Sequence, residues 1–157
     1  MTLLVVGSSH LSAPLDLLEA MAAADPEALA GEALASPHVA ETLVVSTCNR
    51  VEIYAEVDRF HAAVDDVTAA LAKTSGVPAA DLTPLIYVHY DERAAQHMFE
   101  VTCGLNSMVV GEQQILGQVR AALAASQDGG TAGRELNEVT QAALRVGKRI
   151  RSETGLD

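Results

Sequence analysis

The chain has 157 residues, 49% of them hydrophobic, which is the length of one domain that can bury a core of its own. Its formal charge of −11 excludes nonspecific nucleic-acid binding over the whole surface, because such binding needs a positive surface. The two cysteines form no CxxC pair and no cluster, which excludes a zinc knuckle and a thioredoxin-like dithiol.

No apolar run is long enough to span a membrane, and the N-terminus MTLLVVGSSH lacks a basic leader. We therefore expect a protein of the cytoplasm with no membrane contact. The spacing of cysteines and histidines predicts no metal site. No G-x-G-x-x-G or G-x-x-x-x-G-K-[ST] pattern is present, so no dinucleotide or Walker-type loop is predicted.

The first 90 residues alternate between apolar strands and helices. TLLVVG predicts a buried strand, Pro14 precedes a helix in LDLLEAMAAA, and a second short helix follows Pro26. ETLVVS predicts a strand, and VEIYAEV has the alternation of a half-exposed strand. A helix ending near Gly76 and a strand in PLIYVHY follow. The order β-α-β-β-α-β, with one extra helix, predicts a ferredoxin-like sheet.

From residue 91 onward the pattern is helical. DERAAQHMFEVTCG predicts a helix with Asp91 at its N-cap and its end at Gly104. GEQQILGQVRAALAASQDGG predicts a second helix, and AGRELNEVTQAALRVGKRIRSET predicts a long third one. The predicted fold class is α+β, with a ferredoxin-like sheet-bearing part in residues 1–90 and a helical part in residues 91–157 that ends in a long helix.

Cys48 lies where the second predicted strand ends, in STCNR. A lone cysteine is more often a small buried apolar side chain than a nucleophile. At a strand end, however, the side chain becomes accessible, and Arg50 favours the thiolate if its guanidinium approaches. A thiolate can attack an ester or thioester. Arg50 itself has two interpretations, as a ligand for a substrate carboxylate or as a surface ion pair with Glu52 or Glu56.

A cysteine mechanism needs a proton acceptor, and the chain has five histidines. His97 lies in the middle of a predicted helix, whereas His10 and His89 lie close to the ends of predicted strands. Taken singly, each is more often structural than catalytic. Cys103 is expected in the core, because apolar residues precede it at helical spacing.

Two polar segments of the helical part leave two interpretations each. GLNSMVVGEQQILGQVR is either a helix N-terminus with polar caps or the wall of a pocket for an amino acid. RVGKRIR, with four of the ten basic residues, is either a solvated helix face or a phosphate-binding patch.

The chain resembles the N-terminal catalytic domain of the glutamyl-tRNA reductase family in four segments: VVGSSHLSAPLDLLE, STCNRVEIYAEV, HYDERAAQHMFEVTCGLNSMVVGEQQILGQVR and ALRVGKRIRSETGLD. The combination of TCNR with GLxSMxxGExQILGQV is highly specific. The resemblance implies that Cys48 attacks the aminoacyl ester of glutamyl-tRNA(Glu), forming a thioester and releasing tRNA. It implies further that the full-length enzyme reduces this thioester with NADPH to glutamate-1-semialdehyde, which begins tetrapyrrole synthesis.

The resemblance also implies roles for individual residues. Arg50 would bind the glutamyl side-chain carboxylate, and His97 falls on the histidine that the family uses near the nucleophile. The residues expected to line the glutamyl pocket are Thr47, Asn49, Arg50, Ser107, Glu112, Gln113, Gln114 and Gln118. The RVGKRIR helix is expected to form part of a positive track for tRNA, through Arg145, Lys148, Arg149 and Arg151.

The chain departs from the family pattern at Leu11, where Lys or Arg, itself followed by Thr or Ser, is common after the histidine, at Asn106, where aspartate is usual, and at Gln113, where proline is common. Family members continue into an NADPH-binding Rossmann domain and a helical dimerisation domain. The resemblance therefore implies that residues 1–157 are the catalytic domain alone, able to form the thioester and to act as a slow esterase. A homodimer is expected only with the further domain, and glutamate-1-semialdehyde aminotransferase is an implied channelling partner.

Two other functions remain open at this point. The chain could be a noncatalytic ferredoxin-like module that binds RNA or a protein, with Cys48 as a bystander, although its two phenylalanines and three tyrosines argue against a base-stacking surface. It could also be a cysteine hydrolase that acts on another acyl ester.

Overall fold

The computed structural model describes residues 1–105 and 114–154. Within these ranges, none of the helices is both long enough and apolar enough to cross a membrane. The strands are β1 (Thr2–Ser9), β2 (Val39–Ser46), β3 (Arg50–Val57) and β4 (Tyr87–Tyr90). The helices are α1 (Leu15–Ala22), α2 (Pro26–Leu34), α3 (Phe60–Ser75), α4 (Ala79–Leu82), α5 (Glu92–Thr102), α6 (Ile115–Asp128) and α7 (Arg134–Thr154).

The four strands form one sheet in the order β2-β3-β1-β4. Every neighbouring pair is antiparallel, and β1 pairs with β3 along its whole length, from Thr2 opposite Val57 to Ser9 opposite Arg50. This strand order, with the chain order β-α-α-β-β-α-α-β, is that of a ferredoxin-like sheet with additional helices. The predicted fold class is therefore confirmed, including the helical part that ends in a long helix.

Helices cover both faces of the sheet, which divides the interior into two cores. Along β1, Leu4 and Val6 point into the core formed with α1, α2 and α3, whereas Leu3 and Val5 point into the core formed with α5, α6 and α7. The continuous apolar run of β1 is the pattern expected of a strand buried on both faces.

The prediction that β3 is half exposed is wrong, because all eight of its residues are buried. Its alternation of apolar and polar side chains is real, but the polar face lies beneath the helical part instead of facing solvent. Glu52 and Tyr54 are 0% and 1% exposed. A carboxyl group and a phenol that are buried in this way need hydrogen-bond partners inside the protein.

One predicted boundary differs from the structure, and the N-cap position predicted for Asp91 is confirmed. PLIYVHY begins as a 3-10 turn at Thr83–Leu85, so the strand is only four residues long. Asp91 occupies the N-cap position of α5, but its side chain makes no capping hydrogen bond and its φ is 57°. Its N–H donates instead to the carbonyl of Leu3 at 2.7 Å, which ties the start of α5 to the sheet. The predicted start of the next helix, in GEQQ, lies largely outside the described residues.

Glu41 on β2 caps the N-terminus of α7. Its carboxylate accepts hydrogen bonds from the N–H groups of Gly133 (2.8 Å), Leu136 (2.9 Å) and Glu135 (3.3 Å). The first N–H groups of a helix have no partner within it, and a negative charge at that end is favourable. The contact fixes where α7 crosses the second face of the sheet.

We expect Glu41→Ala to lower the free energy of unfolding by about 1–2 kcal/mol, because the first turn of α7 loses its acceptor. Urea unfolding followed by circular dichroism measures the change. The control is Glu32→Ala, which breaks an exposed ion pair with Lys73 (3.0 Å) and should change the free energy of unfolding by less than about 1 kcal/mol. Equal losses in the two variants would contradict the capping role of Glu41.

Candidate active site

The turn between β2 and β3 presents Cys48 to solvent. The N–H of Thr47 donates to the carbonyl of Arg50 at 2.8 Å, and the N–H of Asn49 donates to Oγ1 of Thr47 at 3.1 Å. The N–H of His10 donates to the carbonyl of Asn49 at 3.0 Å, which joins the turn to the loop after β1. Cys48 is a free, exposed thiol. Three hydrogen bonds therefore hold a turn that keeps this thiol accessible.

Glu52 lies two residues after Arg50 on β3, so both side chains leave the strand on the same face. The Nη1 atom of Arg50 lies 3.5 Å from Oε2 of Glu52, and their side chains are 1% and 0% exposed. The hydroxyl of Tyr54, two residues further on, donates to Oε1 of Glu52 at 2.7 Å. The ion pair of Arg50 is thus buried, in contrast to the surface pair that was one interpretation of the sequence.

Tyr87 on β4 and His97 on α5 complete the set of side chains around this carboxylate. The hydroxyl of Tyr87 donates to Oε2 of Glu52, and Nε2 of His97 contacts the same oxygen. An ionised carboxylate can only accept, so Nε2 of His97 carries a hydrogen, and in the neutral form of the ring Nδ1 is the acceptor. We call Arg50, Glu52, Tyr54, Tyr87 and His97 the Glu52 cluster.

Gly7 on β1 provides the space for this cluster. On the central strand β1 it lies between two residues of the cluster, opposite Glu52 on β3 and opposite Tyr87 on β4. A Cβ atom at this position would lie 2.8 Å from Cγ of Glu52 and 3.1 Å from Cε1 of Tyr87. Any residue larger than glycine would therefore push the two side chains apart.

Burial and charge act against each other at Glu52. Burial raises the pKa of Glu52, but the hydrogen bond and charge of His97 lower it, and Arg50 and Tyr87 lower it further. The resulting pKa lies below its ordinary value of 4.5. For Tyr54 and Tyr87, burial and the charge of Glu52 both raise the pKa. At neutral pH the carboxyl is therefore ionised and both phenols remain donors.

His89 on β4 extends the cluster toward solvent. Its ring centroid lies 4.6 Å from that of His97, and burial, followed by the charge of His97, lowers the pKa of His89. An open groove of about 340 Å³ runs along this side of α5 and is lined by His89, Arg93, Gln96, His97 and Glu100. The ring of His97 thus lies between a buried carboxylate and an open groove.

The structure brings some of the predicted site residues together. Arg50 and His97 both contact Oε2 of Glu52. Among the described residues, no hydrogen bond joins Cys48 to His97. Oε1 of Gln118 is buried without a hydrogen-bond partner in the described ranges. Thr47 is buried, Asn49 is half-buried and Gln114 is exposed, whereas Ser107, Glu112, Gln113 and the departure at Asn106 lie outside the described residues.

Two other predictions concern buried groups. Cys103 is 5% exposed, as predicted, and burial raises the pKa of its thiol. Arg151 is 4% exposed, whereas Arg145, Lys148 and Arg149 are exposed. Arg151 therefore does not lie on the exposed face of α7 with the other three, and the expected tRNA contact of these residues stays a prediction.

Sequence reasoning missed most of the Glu52 cluster. The sequence patterns assign no role to Tyr54, Tyr87 or Gly7, and they give Glu52 only as a surface partner of Arg50. The available signal was the recurrence of Arg50, Glu52 and Tyr54 at every second position, which places them on one face of a strand. Whether that face meets water or helices depends on residues far along the chain.

Acidification is expected to destabilise the protein through Glu52. In the unfolded chain the carboxyl titrates near its ordinary value of 4.5, and in the folded chain it titrates lower, so the unfolded state binds the proton first as the pH falls. The stabilisation is complete above the ordinary pKa and is lost as the pH falls through the folded pKa. Urea midpoints at about pH 7 and about pH 3.5 should therefore differ less in Glu52→Gln than in the unchanged chain.

Glu27→Gln, at an exposed position on α2, serves as the matched control and should keep the full decline. A decline in Glu52→Gln as large as that of the unchanged chain would show that other carboxyls carry the acid sensitivity.

Known proteins are similar to this chain in sequence and in fold. The family model for the N-terminal domain of glutamyl-tRNA(Glu) reductase matches residues 6–154. The chain is 55% identical to a glutamyl-tRNA reductase of Streptomyces coelicolor, over 100% of this chain and 27% of the relative. It is 54% identical to glutamyl-tRNA reductase 1 of a Nocardioides species, over 100% of this chain and 37% of the relative.

A solved structure, the glutamyl-tRNA reductase from Methanopyrus kandleri, covers 96% of this chain with a TM-score of 0.76 and 30% identity. The match takes in 34% of that structure, so the chain spans about a third of the length of the relatives that it matches. The fold, the sequence relatives and the family model agree over nearly all of the chain. The chain therefore belongs to the family of glutamyl-tRNA reductase N-terminal domains.

Proposed function

We propose that this chain is the acyl-transfer part of a glutamyl-tRNA reductase, with glutamyl-tRNA(Glu) as its substrate and Cys48 as its nucleophile. The observation that carries the proposal is the exposed thiol in a hydrogen-bonded turn, four residues before the buried carboxylate that orients His97. Membership of the family supplies the substrate. A thiol at an exposed turn is accessible to a large substrate. The proposed base, His97, is held by the buried carboxylate of Glu52.

In the proposed step, the thiol of Cys48 gives its proton to Nδ1 of His97, and the sulfur attacks the carbonyl carbon of the aminoacyl ester. The new C–S bond replaces the C–O bond to the terminal ribose of the tRNA. The departing ribose oxygen takes the proton from His97, which leaves a glutamyl thioester and free tRNA. Glu52 acts as a positioning residue, because its hold on Nε2 makes Nδ1 the basic nitrogen.

We assign Arg50 to the glutamyl side-chain carboxylate. The family resemblance is the ground for this assignment; the guanidinium of Arg50 contacts Glu52 through Nη1, and the planar fork of an arginine matches a carboxylate. Gln118 is a further pocket residue of the proposal, since its Oε1 is buried without a hydrogen-bond partner among the described residues. The further pocket residues of the proposal follow the family resemblance and are Thr47, Asn49, Ser107, Glu112, Gln113 and Gln114.

Reduction of the thioester to glutamate-1-semialdehyde would complete the reaction in the longer enzyme, with NADPH supplying the hydride. The residues of this chain do not fit a dinucleotide. All neighbouring strands in the described ranges are antiparallel, whereas such a cofactor binds at the carboxyl ends of parallel strands beside a glycine-rich turn. We assign no residue of this chain to NADPH. The homodimer and the aminotransferase partner stay predictions of the resemblance.

Incubation with glutamyl-tRNA(Glu) should add one glutamyl group to Cys48, detected by intact-mass and peptide mass spectrometry, and should speed the deacylation of the tRNA. Cys48→Ser should abolish the thioester while leaving tRNA binding intact. Cys103→Ser is the matched control, because its thiol is buried, and it should still be acylated at Cys48.

If the unchanged chain binds glutamyl-tRNA but shows neither acylation nor faster deacylation, it is a noncatalytic binding module. If Cys48 is acylated but free glutamate analogues do not compete with the acyl donor, the chain is a cysteine hydrolase with a different substrate.

His97→Ala should slow acylation by about 100- to 10,000-fold, the range typical of a lost general acid–base group. Quenched-flow measurement of the thioester at saturating glutamyl-tRNA separates this effect from binding. Gln96→Ala removes an exposed side chain from the same groove and should leave the rate nearly unchanged. An acylation rate in His97→Ala equal to that of Gln96→Ala would reduce His97 to a residue that only shapes the pocket.

A further inference from the structure

The helical hairpin of α6 and α7 carries a groove that the proposed chemistry does not use. A short connection joins Asp128 to Arg134, so the two helices run antiparallel, and Nε2 of Gln127 donates to Oδ1 of Asn137 near the turn at 2.6 Å. The groove has a volume of about 330 Å³. Each helix lines the groove with residues three and four positions apart, which lie on one side of the helix. Leucine and alanine side chains alternate there with polar ones.

Three cations lie in the walls of this groove, Arg120 from α6 and Arg145 and Lys148 from α7. All three are exposed, and within the described ranges none of them forms an ion pair. Among the described residues, no acidic side chain lines the groove. Because the hairpin is antiparallel, Arg120 faces the second half of α7, where the other two cations are.

The charge of the groove is opposite to that of the chain. The formal net charge is −11, and a second open pocket, near the N-terminal end of α7, is lined by Glu56, Asp91, Glu92, Glu135 and Glu138. The helix α7 therefore runs from an acidic end to a basic one. A polyanion that approaches this protein is repelled by most of the surface and attracted at the α6–α7 groove.

We propose that the α6–α7 groove binds the phosphate backbone of the tRNA part of the substrate, an inference that rests on the proposed function. Arg120, Arg145 and Lys148 would contact phosphate oxygens, and the amides of Gln127 and Gln141 would donate to phosphate or ribose oxygens. No aromatic side chain from the described part of the chain lines the groove, so we infer a contact with the backbone and not with the bases.

The groove changes the basic surface that the sequence predicted. Arg151 is buried and does not contribute, whereas Arg120 joins from a helix that ends before α7 begins. Arg149 is exposed one helical turn after Arg145 and extends the same side of α7 beyond the groove. The binding surface is thus formed by two helices, and only their packing brings its cations together.

The test uses uncharged tRNA(Glu) made by transcription, so that binding is measured without chemistry. The groove variant carries Arg120→Gln, Arg145→Gln and Lys148→Gln. The control variant carries Arg59→Gln, Lys73→Gln and Arg134→Gln, which removes the same number of exposed positive charges from other parts of the surface. Circular dichroism confirms that both variants are folded, and the dissociation constant is measured over a range of salt concentrations.

In the groove variant the slope of log K against log salt concentration should become shallower by about 2 to 3, close to one unit for each lost phosphate contact. The control variant should keep the slope of the unchanged chain. An unchanged slope in the groove variant, or an equal loss in the control, would overturn the proposal.

A second substrate separates this proposal from the proposed function. Glutamyl-adenosine carries the same ester without the body of the tRNA, and it should acylate Cys48 in the unchanged chain. If it does so while the salt slope does not depend on the groove, the groove proposal alone fails. If neither glutamyl-adenosine nor glutamyl-tRNA acylates Cys48, the proposed function fails, and the salt slope still decides whether the groove binds tRNA.

Discussion

The buried carboxylate of Glu52 is the constraint on which the rest of the site depends. An ionised carboxylate without water costs several kcal/mol unless charges and hydrogen bonds replace its hydration. The replacement here comes from β3 itself, through Arg50 and Tyr54, and from β4 and α5, through Tyr87 and His97. Side chains of β3, β4 and α5 must therefore all contact the two carboxylate oxygens of Glu52 to stabilise its negative charge. This requirement positions α5 on the sheet.

The same requirement divides the proposed reactive groups into two levels, the exposed thiol of Cys48 and the base His97, which a buried carboxylate orients. The thiol of Cys48 is at the surface, in a turn held by backbone hydrogen bonds, whereas the proposed base is oriented from the interior. The first level is open to a large substrate, and at the second level the carboxylate of Glu52 is shielded from water, whereas His97 borders an open groove. If the α6–α7 groove binds tRNA as proposed, substrate recognition is divided in the same way, with the acyl group near β3 and the nucleic acid on the helical hairpin.

Local sequence patterns predicted the elements of this fold well where the pattern alone decides the structure. Gly76 ends α3 with a φ of 77°, a backbone conformation that glycine adopts readily. The strand order and the long final helix also agree with the prediction. The errors arose where a second element decides the environment. The alternation in β3 is the same whether its polar face meets water or α5, and the spacing of Arg145, Lys148, Arg149 and Arg151 does not reveal that α7 packs with one of them inside.

By itself, the sequence determined the α+β class, the accessible cysteine at a strand end, the core position of Cys103 and, through its motifs, the family. The tertiary structure alone decided that Glu52 is a buried anchor and that Gly7 must be small. It also decided that Arg120 joins Arg145 and Lys148. The physical reason is that burial and partner choice are set by contacts between residues distant in the chain, whereas turns, caps and strand periods are set by neighbours.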